Sequence, residues 1–322
     1  MKILVTGGAG FIGSQFVRMC LTQDLGVSKV IVLDALTYAG NIQNLHSIES
    51  DPRYEIHHGD VCSYDKLDEI MDGVDAVVHF AAESHVDNSI KSALQFVKTN
   101  VVGTQNLLEK ARTSKIGRFV HVSTDEVYGS ISEGSWNENE VLKPNSPYSA
   151  SKAASDLIAL AYGKTYGLDI CVTRSSNNYG PFQFPEKLIP LFITKLIQGH
   201  KVPLYGKGNN IRDWIHVNDN CRAIFAVLTG GRSGEIYNIG GSNEITNIDL
   251  THLILNSMGK RESEISFVED RPGHDLRYSV DTSKIENQLQ YRPEIEFRTG
   301  LESTIQWYIS NYQWWQRLVS SD

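Results

Sequence analysis

Short apolar runs punctuate the first half of the chain: ILV at 3–5, VIVL at 30–33, AVV at 76–78, FVHV at 119–122 and ICV at 170–172. Mainly apolar runs of this length, each ended by a polar residue, predict strands buried on both faces, the pattern of parallel sheets. A more polar run, YEIHHGDV, supplies a further strand ending at Asp60 and Val61. Helical patterning fills the gaps, most clearly over residues 89–113 and 148–166. Strands alternating with helices predict an α/β fold, a Rossmann-type doubly wound parallel sheet.

After Arg174 the texture changes to SSNNYGPFQFPEKLIP, with Pro181, Pro185 and Pro190 in a loop-rich stretch. We therefore expect a cofactor-binding domain over 1–174 and a smaller mixed α/β substrate-binding lobe over 175–322, with a return to the large sheet near 211–241, where GEIYNIGG reads as a strand. The two helical stretches carry more apolar surface than one sheet face can cover, which predicts a homodimer through a helix bundle. The last twenty residues read as a terminal helix and an aromatic-rich end, with Trp307, Trp314 and Trp315 as packing residues.

Composition narrows the classes. With 41% hydrophobic and 21% charged residues in 322, the chain is an ordinary globular protein. A net charge of −8 with no basic stripe argues against a nucleic-acid partner. No run is long enough to cross a membrane, and the chain enters a strand directly after Met1, so a cytoplasmic protein is expected. Cys20, Cys62, Cys171 and Cys221 stand singly without metal-ligand spacing, which predicts core packing in a reducing compartment and no metal.

The first strand runs into Gly7, Gly10 and Gly13, and the second ends in Asp34, about twenty residues on. Glycines let backbone approach a pyrophosphate at a helix N-terminus, and a carboxylate accepts ribose hydroxyls while repelling a 2′-phosphate. NAD is the expected cofactor. Asp60 and Val61 are placed to cap an adenine edge, and Ala81 and Ala82 to let a flat ring approach. His79, inside an apolar strand, reads as a core histidine; for His85, loop structure and pocket remain equally open.

Chemistry concentrates in STDEVYG (123–129) and YSASK (148–152). Thr124, Asp125 and Glu126 fall at the carboxyl end of a strand, where such sheets bind ligands. Tyr148 and Lys152 are four apart on a helix and share one face, so the ammonium is expected to stabilise a phenolate base. Arg212 and Arg271, in the second lobe, suit a diphosphate-bearing substrate.

These residues resemble the extended short-chain dehydrogenase/reductases, and within them the dTDP-glucose 4,6-dehydratases. The likeness runs through TGGAGFIGS, LDALTYAGN, HFAAESHVD, STDEVYGS, PNSPYSASKA, SNNYGP, PEKLIPLFI, RDWIHV, YNIGG and DRPGHD. It implies Tyr148 as the base for the sugar 4-hydroxyl, Lys152 as its helper on the nicotinamide ribose, Thr124 as a hydrogen-bond partner of that hydroxyl, Asp125 as acid for the 6-hydroxyl and Glu126 as base for C5. It implies NAD contacts at Phe11, Ile12, Asp34, Ala35, Leu36, Thr37, Asp60, Val61, Phe80, Ala81, Ala82, Ser84, Thr99 and Asn178. Substrate contacts are implied at Ser84, Thr124, Asn177, Lys187, Leu188, Pro203, Leu204, Tyr205, Arg212, Asn247, Asp270, Arg271, Pro272, Gly273 and His274. An epimerase or decarboxylase of the same fold would share all but a use for Asp125 and Glu126. Asn88, Ser175, Asn218 and Asn220 depart from the family's usual residues.

Overall fold

The computed structural model describes residues 1–63 and 65–319. Its strands are, in chain order, β1 (Lys2–Thr6), β2 (Lys29–Asp34), β3 (Tyr54–His58), β4 (Ala76–His79), β5 (Arg118–Thr124), β6 (Ile170–Ser175), β7 (Asn177–Tyr179), β8 (Val202–Tyr205), β9 (Ile211–His216), β10 (Ile236–Ile239), β11 (Glu244–Thr246) and β12 (Ile265–Val268). Seven form one sheet in the order β10-β6-β5-β4-β1-β2-β3, with every pairing parallel. The winding direction reverses between β1 and β4, and that reversal opens a crevice at the carboxyl ends of the strands.

Period-2 alternation splits each run between two cores. Ile3, Val5, Val30 and Val32 face one, while Leu4, Ile31 and Leu33 face the other. Both faces are covered, which is why the runs are apolar throughout rather than alternating.

The chain returns to this sheet late. The helix Val217–Gly230 packs Cys221, Ile224 and Val227 into the first core, and β10 adds a seventh strand beside β6. Residues 211–216 do something else: β9 lies between β11 and β7 in a separate three-stranded sheet. β8 and β12 pair in parallel over a third core that includes Phe192, Leu250, Leu301 and Trp315.

The predicted helix over 89–113 is interrupted. Helix Val86–Lys91 ends where Ser92 turns extended, and a short turn at Leu94–Phe96 leads into a wide π turn, Val97–Gly103, before the helix Thr104–Thr113. The wide turn seats the chain against the loop after β3, where a Cβ on Gly103 would press 2.7 Å from Val61. Helix Pro147–Tyr166 is continuous, because its ends are well satisfied. Ser146 and Ser149 form a reciprocal cap, Pro147 occupies the first turn, and Gly167 closes the other end in a left-handed conformation at φ 72°. Apolar side chains on these segments stay in the open, with Leu94 78% and Leu157 59% exposed. No helix among the described residues is long and apolar enough to cross a membrane.

Candidate active site

At the turn after β1, Gly7 adopts φ 70°, and a Cβ there would lie 2.6 Å from the Ala81 amide nitrogen. A Cβ on Gly13 would come within 2.2 Å of the Gly7 carbonyl. Both glycines are therefore required by the fold of the turn. Asp34 ends β2 nearly buried and accepts from the amides of Ala9 and Leu36, each at 2.8 Å. Burial raises its pKa while those amides lower it. Two backbone donors leave each carboxylate oxygen a further lone pair for a ribose hydroxyl. The glycine turn, this carboxylate and the unpartnered buried oxygen of Asn178 (Oδ1) fit a dinucleotide such as NAD.

β5 leads into the two adjacent acids. Its last residue, Thr124, accepts from the Glu126 amide at 3.3 Å and so caps a tight turn, Asp125–Tyr128, that turns the two acids into the crevice. Burial, then Glu126 and Asp213, push the Asp125 carboxyl well above its ordinary value. Burial also raises Glu126, but Arg271, Arg212 and Lys187 pull it back. Both carboxyls are thus raised, Asp125 well above its ordinary value and Glu126 against the opposing pull of three cations.

Tyr148 and Lys152 share one face of their helix and both line the crevice. Their relation differs from the expected phenol–ammonium pairing. The Lys152 ammonium donates to the Val122 carbonyl at 2.8 Å. Burial and Glu126 push the Tyr148 phenol up, a hydrogen bond with Thr124 opposes them, and burial lowers Lys152 to about 8. Burial and the neighbouring Glu126 both favour the neutral phenol in the protein alone.

The second lobe supplies the cations. Arg212 is buried on β9 with no carboxylate partner among the described residues: it donates to the Ile211 and Asp275 carbonyls at 2.7 and 2.9 Å and lies 4.3 Å from the centre of the Tyr278 ring. Lys187 donates to the Ser84 carbonyl at 2.8 Å, reaching across to the first lobe. Arg271 lies 3.3 Å from Asp87, also across the crevice.

One crevice brings together Gly7, Gly10, Phe11, Ile12, Gly13, Asp34, Ala35, Thr37, Asp60, Val61, Phe80, Ala81, Ala82, Ser84, Thr99 and Asn178 at one end. Thr124, Asp125, Glu126, Tyr148 and Lys152 occupy its middle, and Asn177, Lys187, Leu188, Pro203, Leu204, Tyr205, Arg212, Asn247, Arg271 and His274 its other end. Four expected residues do not line it. Leu36, at φ 49°, turns its side chain against the core and offers Asp34 only its amide. Asp270 is exposed and accepts from His274 at 2.6 Å, while Pro272 and Gly273 form the solvent side of that rim turn. His79 is in the core, bonded to Thr6 and Thr104, and His85 lines the crevice.

Sequence reasoning missed Asn100, Asp87 and Tyr278. Buried Asn100 donates to Ser151 at 2.8 Å and exchanges hydrogen bonds with the Glu83 backbone, so it ties the Tyr148 helix to the loop after β4. A lone amide inside VKTNVVG was its only signal. Asp87 accepts from Tyr205 and Arg271 across the crevice, a pairing that no spacing reveals. Of the four departures, Ser175 and Asn220 are partners, 2.8 Å apart and buried.

The family profile described as GDP-mannose 4,6 dehydratase matches residues 4–304. The dTDP-glucose 4,6-dehydratase of Streptomyces niveus is 55% identical over all of this chain and 97% of its own length. A crystal structure of DesIV, the dTDP-glucose 4,6-dehydratase of Streptomyces venezuelae, with NAD bound, superposes with a TM-score of 0.98 at 57% identity, covering 99% of this chain and 100% of that one. UDP-glucuronic acid 4-epimerase of Bacillus cereus has the same fold at a TM-score of 0.91 but only 29% identity, over 96% of this chain and 99% of its own. Fold alone does not separate the two chemistries; identity over the full length does, and this chain belongs to the GDP-mannose 4,6 dehydratase family, among its dTDP-glucose 4,6-dehydratases.

Proposed function

We propose that the crevice dehydrates dTDP-glucose to dTDP-4-keto-6-deoxyglucose, as a hydro-lyase that feeds deoxysugar biosynthesis, with the following division of labour. NAD, when bound, accepts the C4 hydride, returns it to C6 and adds a positive charge beside the phenol. Gly7, Gly10, Gly13 and Asp34 would hold it. Tyr148 takes the 4-hydroxyl proton, Thr124 orients that hydroxyl, and the Lys152 ammonium stabilises the phenolate that results. The 4-ketone acidifies C5. Glu126 then removes the C5 proton, Asp125 gives its proton to the departing 6-hydroxyl, and a proton is returned to C5 as the hydride reaches C6. Arg212, Arg271 and Lys187 neutralise the diphosphate.

The observation that carries this reading is the pair of carboxyls, Asp125 and Glu126, that the turn after β5 sets into the crevice with Tyr148, a pair for which a 4-epimerase has no use. Incubation with dTDP-glucose should produce the alkaline ultraviolet absorbance of a 4-keto-6-deoxy sugar. Epimerised sugar without that absorbance would refute the assignment.

We divide the labour between a cofactor lobe, residues 1–174 with the return through β10, and a sugar-nucleotide lobe made of the rest. The exposed Leu94, Val102 and Leu157 support a homodimer through the helices that carry them. Leu157→Asp should then give a monomer by light scattering; an unchanged mass would place the interface elsewhere. Four free cysteines, three of them buried, support a reducing cytoplasmic setting.

A further inference from the structure

The C-terminal tryptophans do different things. Helices Phe297–Ser310 and Tyr312–Val319 fold back on each other, and Trp315 is wholly buried there, donating to the Tyr308 carbonyl at 2.8 Å. Trp314, its neighbour, reaches out of the second lobe instead. Its indole donates at 3.0 Å to Oδ1 of Asn44, which is buried in the turn Ile42–Ile48 of the first lobe.

Asn44 passes the contact on to the cofactor turn. Its amide nitrogen donates at 2.9 Å to the carbonyl of Ala9, which also accepts from the Asn41 amide at 3.0 Å. Ala9 lies between Gly7 and Gly10, and its own amide donates at 2.8 Å to Asp34. Three hydrogen bonds in series therefore join the last helix to the carboxylate expected to meet the ribose.

A second set of contacts closes the same clasp. Phe182 holds a left-handed φ of 68°, strained for a bulky residue. It is gripped on one side by Trp307 and Trp314, at 4.6 and 5.6 Å between ring centres, and on the other by the Arg18 guanidinium at 4.3 Å. Arg18 belongs to the helix that follows the glycine turn and donates to the Asn44 carbonyl at 2.5 Å. Next along the chain, the Gln183 carbonyl accepts from Tyr308, and its side chain donates at 2.9 Å to the carbonyl of Asn178, at the crevice wall.

We propose that Trp314, acting through Asn44, is a positioning residue for the dinucleotide: the last helix clasps the glycine turn and sets how slowly the bound cofactor leaves. The inference rests on the NAD reading of the crevice. A cofactor regenerated in every turnover gains nothing by leaving, so slow release is a useful property for this chemistry.

The test compares two tryptophan variants and one asparagine variant as whole protein. Trp314→Phe keeps a ring against Phe182 but removes the donor to Asn44. It should speed NAD dissociation about five- to tenfold, the cost of one partly buried hydrogen bond, with little change in the melting temperature of NAD-free protein. Trp315→Phe, in the core, should lower that melting temperature and leave the dissociation rate alone. Asn44→Ala should speed release at least as much as Trp314→Phe, and the double variant should release NAD no faster than Asn44→Ala by itself, because both act through one path. Unchanged release in Trp314→Phe, additive effects in the double variant, or release that follows melting temperature in all variants would overturn the clasp. Wild-type protein that neither retains nor takes up NAD would instead overturn the reading beneath it.

Discussion

The wall of the crevice built from β5 and the Tyr148 helix holds its ionisable groups buried, with their charges suppressed: Asp125 is pushed up and Lys152 down. The facing wall, from the second lobe, holds Arg212, Arg271 and Lys187 on a strand and two loops, paired mainly with backbone carbonyls or a partly exposed acid. We assign proton movement to the first wall, where burial works against the charged forms of its groups. The second is arranged to attract fixed negative charge and has nothing to exchange. Substitutions on the first should therefore act on turnover, and those on the second on substrate affinity.

The hardest test of that division is Tyr148→Phe. It removes the only phenol at the head of the helix and should lower kcat by ~10² to 10⁴, the usual cost of losing a general base. Substrate affinity, measured by calorimetry, should change little. A variant that turns over normally would take proton chemistry away from this wall.

The two acids should fail in different ways. Glu126→Gln keeps the hydrogen bonding but cannot accept the C5 proton, so C4 oxidation should proceed and reduced-cofactor absorbance build up on the protein. Asp125→Asn leaves the C5 base in place but provides no acid, so C5 should exchange with deuterated water faster than water is lost. Each should cost ~10² or more in overall rate. If neither variant accumulates reduced cofactor or exchanges C5, the elimination does not use these acids.

How far each wall could be read from sequence follows the same division. β1, β2 and β5 are buried on both faces, and a ligand site at the end of such a strand is fixed by the strand itself; Asp34 and Thr124 to Glu126 were legible for that reason. Tyr148 and Lys152 were legible as a helical spacing, but not the turn of the ammonium toward Val122, which depends on how the helix sits on β5. In the second lobe the charged residues are gathered by loops. Asp270, Pro272 and Gly273 share a motif with Arg271 and His274, yet a tight turn at Gly273 (φ 67°) leaves them on the outside of the rim. The late return of the chain was partly visible in GEIYNIGG, whereas the separate sheet holding β9 was not, because an antiparallel partner as short as β11 leaves little pattern.

On the second wall, Arg212→Leu should raise KM for dTDP-glucose about 10- to 100-fold, the cost of a charge-assisted hydrogen bond to the diphosphate, with a far smaller effect on kcat. Arg271→Ala should raise KM only several-fold, because its partner Asp87 competes for the same guanidinium and the group is partly exposed. If Arg212→Leu lowers kcat at constant KM, the second wall also takes part in chemistry and the division fails.

The mildest perturbation is pH, and it addresses the first wall alone. Lys152 has its pKa lowered by burial to about 8, so as pH rises through that value the ammonium loses its proton and the phenolate beside it loses support. Glu126 has its pKa raised, so as pH falls its carboxylate is protonated, and loses its use as a base, earlier than an ordinary glutamate would. Turnover should therefore trace a bell whose acid limb lies above the usual carboxylate range and whose alkaline limb begins near 8. Asp125 acts only after the ketone has formed. Following C4 oxidation alone, in the Glu126→Gln variant, removes both carboxyls from the measurement. The acid limb contributed by Glu126 should then disappear, while the alkaline fall near 8 remains, because Lys152 serves the first step. An oxidation rate that stays level well above pH 8 would mean that Lys152 positions Tyr148 without lending it charge.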